Sequence, residues 1–139
     1  MARALLAKEL HFVTEDETGI LGRVTVAMAL EGVYVIHLCC YSFEGKAYFQ
    51  AVTKDPEKAK KALGYFIPSM EERDVLIVEF ENKVGTLAPV AKLLANNRVH
   101  INYCYGTSGD GFKIVGVFST SDNAKARDLI NQDSQTLGG

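Results

Sequence analysis

The chain has 139 residues, a length that suits one ordinary domain or two very small ones. Hydrophobic residues make up 47% of the sequence and charged residues 23%, a balance that is typical of a soluble globular protein and excludes a disordered one. The net charge of −2 argues against nucleic acid or an anionic membrane as a partner, because both bind basic surfaces.

The N-terminus and the cysteines indicate the compartment. The stretch MARALLAKEL has only a short apolar run and no cleavage-like site before Glu9, so we expect no signal peptide. No apolar run reaches the roughly 20 residues of a membrane-spanning helix. Adjacent Cys39 and Cys40 would point to opposite faces of a strand, and with Cys104 they make an odd number. We therefore expect reduced thiols in a cytoplasmic protein.

The first predicted element is a strand in ELHFVT, an apolar run with aromatic and β-branched residues. A helix follows, because Leu21, Val24 and Met28 recur at spacings of three and four residues and form a buried stripe. VYVIHLCCYSF and KAYFQAVT then predict a hairpin with its turn at Glu44-Gly45.

A second helix closes the first half of the chain. Asp55 followed by Pro56 predicts an N-cap and a first helical residue, in a helix that runs to about Leu63. YFIPSM could supply a final strand, which Pro68 would confine to an edge or an end of a sheet.

The second half of the chain follows the same plan. DVLIVEF predicts a strand, and Leu87, Val90 and Leu94 predict a helix with Pro89 in its first turn. VHINYCYGT and FKIVGVFST predict a hairpin with its turn at residues 109–111.

The end of the chain breaks this plan. Ser121-Asp122 predicts the start of a helix in AKARDLI. NQDSQTLGG is polar and shows no convincing last strand, so that strand is either short or replaced by another chain that covers the edge.

The two halves of the chain are an internal repeat with a constant offset of 66 residues. The offset matches Gly19 with Gly85, Leu21 with Leu87, Val24 with Val90, Val33 with Val99, Val35 with Ile101, Gly45 with Gly111 and Leu63 with Leu129. The element order is therefore β-α-β-β-α-β, twice. This order predicts an α+β fold of two ferredoxin-like units side by side, at residues 1–72 and 73–139, with an antiparallel sheet and helices on one face.

The second strand of the first unit predicts an oligomer. Strand alternation places residues 33, 35, 37, 39 and 41 on one side, and Val33 and Val35 match the helix stripe. The opposite side carries Tyr34, Ile36, Leu38 and Cys40, which are apolar as well. A sheet with helices on one face is polar on the other unless something covers it, so we expect a homodimer or a larger homo-oligomer.

The loops before the first helix of each unit are candidate binding sites. The first N–H groups of a helix have no partner within it, the helix dipole favours an anion there, and glycine lets a ligand approach the backbone. Glu15, Asp16 and Glu17 in the first loop would repel a carboxylate, whereas Asn82 and Lys83 in the second would tolerate one. The second loop is therefore the better candidate for an amino acid, with a plain glycine turn as the alternative.

Two other kinds of site are weaker. His37 with Cys39, and His100 with Cys104, would share a strand face, yet no CxxC or paired-histidine spacing accompanies them, so we expect no metal. DGFKIVGVF resembles the third-strand signature of RNA-binding modules, but apolar Ile114 and Val117 stand where aromatic residues are needed. No nucleophile with a base, carboxylate pair or phosphate loop is present, so we expect neither an enzyme nor a cofactor.

The duplicated unit, with its polar loop and Gly-x-Leu entrance, resembles a tandem ACT domain protein. EFENKVGTLAPVAKLLANNRVHIN carries the closest likeness and EDETGILGRVTVAMALEGVYVI the weaker one, and together they cover about residues 9 to 131. The resemblance implies a small-molecule regulatory module, typically for amino acids, whose ligand sits between the helix-start loop of one unit and the second strand of the other.

Carried over to this sequence, the resemblance implies two ligand sites. Their residues are Asn82, Val84, Gly85, Thr86 and Leu87 in the second loop, and Asp16, Thr18, Gly19, Ile20 and Leu21 in the first. The family often has Asn early in its second strand, where this chain has Tyr34 and His100.

We therefore expect a free-standing, non-enzymatic protein that binds an amino acid and regulates a partner in trans, such as a biosynthetic enzyme or a regulator. A dedicated regulatory subunit of an amino-acid biosynthetic enzyme is one alternative. A structural assembly module without a ligand is another, because Tyr34 and His100 depart from the family.

Overall fold

A computed structural model of the protein describes residues 2–108 and 111–138, with side chains as far as residue 133. The chain is α+β, and all the strand pairings β1–β3, β2–β3, β4–β6 and β5–β6 are antiparallel once the elements are numbered in chain order. The described elements are β1 (Arg3–Glu15), α1 (Ile20–Leu30), β2 (Val35–Phe43), β3 (Lys46–Thr53), α2 (Pro56–Leu63), β4 (Glu71–Glu81), α3 (Leu87–Asn96), β5 (Ile101–Ser108), β6 (Lys113–Thr120) and α4 (Asn123–Gly138). None of the described helices is long and apolar enough to cross a membrane.

The first compact unit is Lys8–Arg73, with its strands in the order β2-β3-β1. Phe12 and Phe49 stack with their ring centroids 4.9 Å apart, at the centre of the core. Residues from α1 and α2 join the same cluster, so both helices cover one face of the three strands.

The second compact unit consists of residues 2–7 and 74–138, with strands in the order β4-β6-β5. Phe80 and Phe118 lie in its core with ring centroids 6.2 Å apart, and Val90, Leu94 and Ile130 from the helices pack against them. Two helices and three of the strands that the sequence predicts are therefore present in each half of the chain.

The start of the chain packs in the second unit, although the sequence analysis assigned it to the first. Ala4 is buried in the core of the second unit, and its strand β1 is a neighbour of β4. The Ala4 amide donates to Asn131 Oδ1 at 2.8 Å, and Asn131 Nδ2 donates to the Ala4 carbonyl at 2.9 Å. The last strand that the second repeat lacks thus comes from residues near the N-terminus, and neither of the two predicted explanations is right.

The backbone repeats with the same offset as the sequence. Glycines 19 and 85 have φ of 91° and 83°, and the hairpin glycines 45 and 111 have 79° and 81°. Gly32 at φ 69° is matched by Arg98 at 60°, so even a position that differs in sequence keeps its left-handed conformation. The predicted turn at 109–111 falls partly outside the described residues.

A β-bulge in each second strand corrects the predicted alternation. Val35 pairs with Thr53 and His37 with Val52, which leaves Ile36 as an extra residue. Beyond the bulge the faces are exchanged, because Leu38 and Cys40 pack against the helix-side core together with Val35. The prediction that Leu38 and Cys40 lie on the open face is therefore wrong, and β5 carries the same irregularity at Asn102.

The sheet face that points away from the helices is not open throughout. Val52 in the first unit and Val75, Ile77 and Val117 in the second are all buried within the single chain. No second chain is needed to cover these positions. Tyr34, which precedes β2, and Ile36, near the start of β2, are exposed.

Two further expectations need correction, and the end of the chain forms no strand. Leu21 and Leu87 were predicted to lie in the buried helix stripes, but 44% and 51% of their surfaces are exposed. YFIPSM forms no strand, because the Phe66 and Ile67 amides both donate to the Leu63 carbonyl in a turn after α2. The polar end NQDSQTLGG continues α4 as far as residue 138.

Candidate functional site

The first helix entrance lies between β1 and α1. Gly19 is the N-cap of α1 at φ 91°, a conformation that glycine adopts without strain, and no side chain caps the helix. A Cβ placed on Gly19 would meet no atom within 4 Å, so the space in front of the entrance is open. The Ile20 amide donates to the Glu17 carbonyl at 3.1 Å, which closes the loop on itself.

The second entrance, between β4 and α3, has the same form. Gly85 has φ 83° and open space around it, and Thr86 is the N-cap of α3 without a side-chain cap bond. The Thr86 hydroxyl donates to the Glu81 carbonyl at 2.9 Å and to the Lys83 carbonyl at 3.2 Å. It therefore braces the loop and leaves the first amides of α3 uncapped.

The other two helices are capped as the sequence predicts. Asp55 Oδ1 accepts from the Lys58 amide at 3.2 Å at the start of α2, where Pro56 is the first residue. Asp122 Oδ1 accepts from the Lys125 amide at 3.0 Å at the start of α4. The two helices that follow the repeated glycine loops therefore differ from the other two, because they lack a side-chain cap.

Substituting a capping aspartate measures what such a cap contributes. Asp55→Ala is expected to lower the free energy of unfolding by about 1 kcal/mol, because the Lys58 amide loses its acceptor. Urea denaturation checks this value. The matched control is Asp128→Ala, which removes an exposed carboxylate paired with Arg127 at 3.0 Å and should change stability by less than about 0.5 kcal/mol. Equal losses in the two variants would contradict the cap.

Basic side chains pair with two of the acidic residues that the sequence predicts at the first entrance. Glu17 pairs with Arg23 at 3.2 Å, and Glu15 pairs with Lys46. Asp16 Oδ1 accepts from the Ser42 hydroxyl at 2.9 Å. The sequence analysis did not identify Arg23 and Lys46 as residues of this entrance. They could have been recognised from their positions, because Arg23 lies one helical turn after Gly19 and Lys46 directly follows the hairpin turn.

Some residues of the second entrance already form hydrogen bonds and ion pairs within the protein. Asn82 Nδ2 donates to the Gly111 carbonyl at 2.9 Å, and the Asn82 amide donates to the Phe112 carbonyl at 3.0 Å. Lys83 forms an ion pair with Glu81 at 2.6 Å, which lowers the pKa of the Glu81 carboxyl and raises the pKa of Lys83. Val84 is fully exposed at the tip of the loop.

Tyr34 and His100 lie far from the entrances of their own units. Each follows the end of the helix whose start carries the glycine loop, and an 11-residue helix such as α1 is about 16 Å long. Tyr34 is exposed, and the His100 amide donates to Ser121 Oγ at 2.9 Å. His100 also lines a groove of about 410 Å³ with Ala91 and Ala95 of α3. The structure thus brings the loop residues together but not Tyr34 and His100, which directly precede β2 and β5.

The candidate metal ligands form no group. Among the described residues, no three His, Cys, Asp or Glu side chains are close enough to hold one ion. Burial raises the pKa of the Cys39 and Cys40 thiols and lowers the pKa of His37. These shifts favour neutral thiols over the thiolates that bind metals.

Comparison with known proteins gives a fold and no family. Neither a protein-family model nor a curated protein sequence matches the chain. Among solved structures, protein BT0572 from Bacteroides thetaiotaomicron is similar with a TM-score of 0.85 and 26% identity, over 94% of this chain and 90% of that one.

Two further similar structures carry functional names. The aspartokinase alpha and beta subunits match with a TM-score of 0.68 and 15% identity, over 94% of this chain and 95% of theirs. The regulatory subunit of aspartate kinase from Thermus thermophilus matches with a TM-score of 0.66 and 15% identity, over 93% and 95%. The fold is ACT-like. At these identities the likeness concerns the fold alone.

Proposed function

We propose that the protein is a tandem ACT regulatory protein, built from two ferredoxin-like units, that binds an amino acid at its helix entrances. One observation carries the proposal: α1 and α3 begin without a side-chain cap, beside glycines that leave open space, while Asp55 and Asp122 cap the other two helices. Uncapped amides at a helix start favour a carboxylate, which every free amino acid carries.

The proposed ligand contacts are the predicted loop residues. At the second entrance they are Asn82, Val84, Gly85, Thr86 and Leu87, with the backbone amides as donors. At the first they are Asp16, Thr18, Gly19, Ile20 and Leu21. The half-exposed Leu21 and Leu87 support this proposal, because each leaves apolar surface free beside its entrance. Tyr34 and His100 are proposed contacts only for a loop other than that of their own unit.

We further propose that the protein is a cytoplasmic homodimer that acts in trans on a partner, such as a biosynthetic enzyme or a regulator. The alternative of a dedicated regulatory subunit is supported by the fold likeness to the regulatory subunit of aspartate kinase, which spans nearly the whole of both chains. Co-purification from the native source separates the two, because a dedicated subunit stays bound to its enzyme. Sedimentation that finds only a monomer at micromolar concentration would contradict the dimer.

Binding at the second entrance is expected to respond to one glycine. A thermal-shift screen of the common amino acids should find a ligand that raises the melting temperature, since a ligand at about 100 times its Kd adds roughly 2.7 kcal/mol of stability. Gly85→Val should abolish that increase, because a β-branched side chain at φ 83° strains the loop and fills the space before the amides.

Gly45→Val is the matched control for this variant. Gly45 has φ 79° and open space around it, so valine imposes a similar backbone strain in a hairpin turn of the first unit. Gly45→Val should melt at a lower temperature but keep the full ligand-induced increase. No increase with any amino acid in the wild type, or an equal loss in both variants, would contradict the proposed site.

A further inference from the structure

The side of α1 that faces away from the strands is apolar and exposed. Val26 and Leu30 lie one helical turn apart, and 57% and 82% of their surfaces are exposed. Each follows a buried residue, Val24 or Met28, by two positions. Since a helix turns by about 100° per residue, Val26 and Leu30 lie on the opposite side from the core. Alpha-helices at a protein surface normally carry polar residues there.

The two polar residues of α1 do not change this character. Arg23 pairs with Glu17 at 3.2 Å, and its guanidinium carbon lies 4.6 Å from the centroid of the Phe66 ring. The Thr25 hydroxyl donates to the Leu21 carbonyl at 2.8 Å, one turn back along the helix. The outer face of α1, which we define as Gly22, Val26 and Leu30, therefore carries no charge.

The second repeat shows that the fold does not require apolar residues at these positions. At the offset of 66 residues, Val26 corresponds to Lys92 and Leu30 to Asn96 in α3. Both Lys92 and Asn96 are exposed, as is usual for the solvent side of a helix. The apolar outer face is thus a property of the first unit alone, and a patch of this kind marks an interaction surface.

The outer face is complementary in size to a second copy of itself. Gly22 lies one turn before Val26, and Leu30 lies one turn after it. A Cβ placed on Gly22 would meet no atom within 4 Å, so the surface is low and open at this point. In an antiparallel pair of α1 helices with Val26 against Val26, each projecting Leu30 lies opposite Gly22 of the other copy.

We propose that the outer face of α1 is the surface through which two copies of the protein form a homodimer, with their α1 helices antiparallel about a two-fold axis at Val26. The proposal rests on the homodimer of the proposed function and adds its interface. The occupant is a second copy of α1 because the face has no charge, so pairing it with itself brings no like charges together. Packing α1 on α3 of a second copy would instead desolvate Lys92, and α1 has no carboxylate to pair with it.

The length of α1 sets the strength of this dimer. The helix is about 16 Å long, so its outer face alone buries less than the roughly 800 Å² per partner of a standard interface. We therefore expect a reversible dimer with a dissociation constant in the micromolar range. The contact lies on the helix side of the sheet and leaves the outer edges of β2 and β5 unpaired.

Sedimentation velocity of the full chain over about 1 to 100 µM tests the interface. The wild type should shift from monomer to dimer across this range. Val26→Lys should weaken dimerisation about tenfold or more, because two lysines would meet at the axis. The helix itself should tolerate this change, since α3 carries Lys92 at the matching position.

Phe112→Lys is the matched control. Phe112 is 78% exposed and lies in the second unit, and the first repeat carries Lys46 at its position. This variant makes the same apolar-to-lysine change and should dimerise as the wild type does. An equal weakening in both variants would be an effect of net charge and would overturn the α1 interface.

An exchange of sizes tests the antiparallel pairing of Gly22 with Leu30. Gly22→Leu should weaken dimerisation about tenfold, because a leucine would then meet Leu30 of the other copy at each end of the contact. Adding Leu30→Ala to the same chain should restore dimerisation, since the large and small positions are then exchanged. A double variant that dimerises no better than Gly22→Leu would contradict the proposed pairing.

The outcomes separate this interface from the homodimer itself. Dimerisation that is weakened by Val26→Lys and kept in Phe112→Lys supports the α1 interface. Dimerisation that is unchanged in Val26→Lys overturns the interface while the proposed homodimer stands. A wild type that stays monomeric at every concentration overturns both, and the thermal-shift screen tests ligand binding independently of either result.

Discussion

Phe49→Ala is expected to lower the free energy of unfolding by about 3–5 kcal/mol, the largest effect of any substitution considered for this protein. Phe49 is fully buried, and its ring stacks on Phe12 with centroids 4.9 Å apart and planes only 6° from parallel. Alanine removes that contact and leaves a cavity under both helices of the first unit, because the close-packed neighbours can relax only partly.

Urea denaturation of the variant measures this loss. The matched control is Tyr65→Ala, since Tyr65 is also aromatic but 82% exposed, and its removal should change stability by no more than about 0.5 kcal/mol. A loss below about 1 kcal/mol in Phe49→Ala would mean that the first unit collapses around the cavity and that its core is looser than described.

Gly116→Ala is expected to destabilise the second unit by about 1–3 kcal/mol, through overpacking rather than through a cavity. A Cβ at this position would lie 2.7 Å from Phe118 Cε1 and 3.4 Å from Phe80 Cε2. Both rings are buried in the core, so neither can move aside without disturbing its own contacts.

Gly22→Ala provides the control with the opposite sign. Gly22 lies in α1, and a Cβ placed on it meets no atom within 4 Å. The same chemical change should therefore raise the free energy of unfolding by about 0.5–1 kcal/mol, because alanine favours the helix. Denaturation of both variants checks the two signs together, and a stabilised Gly116→Ala would contradict the packing of the second unit.

Local chemistry made much of the fold predictable. Asp55 and Pro56 mark the start of α2, because capping and a fixed φ depend on adjacent residues alone. The repeated glycines mark turns whose left-handed backbone the structure reproduces. The β-α-β-β-α order within each half followed from hydrophobic periodicity, which depends on one face of a strand or helix at a time.

Strand alternation and helix periodicity gave wrong predictions where burial depends on residues that are distant in sequence. The bulge at Ile36 shifts Leu38 and Cys40 to the core side, and period-two alternation contains no sign of an inserted residue. Leu21 and Leu87 fit the helix stripe by spacing, yet their position at the entrance leaves them half exposed. The position of a residue on a helix depends on nearby sequence, but its burial depends on which other elements pack against it.

By itself, the sequence determined the repeat at an offset of 66 residues, the β-α-β-β-α order within each half, and the loops at which a helix begins behind a glycine. The order of elements and the loops depend on residues that are neighbours along the chain, and the repeat appears when the sequence is aligned with itself. Only the tertiary structure decided that Ala4 packs in the second unit, that α1 and α3 lack side-chain caps, and that the Arg23 guanidinium lies over the Phe66 ring. Those features join residues that are distant in sequence, and no local pattern encodes such distances.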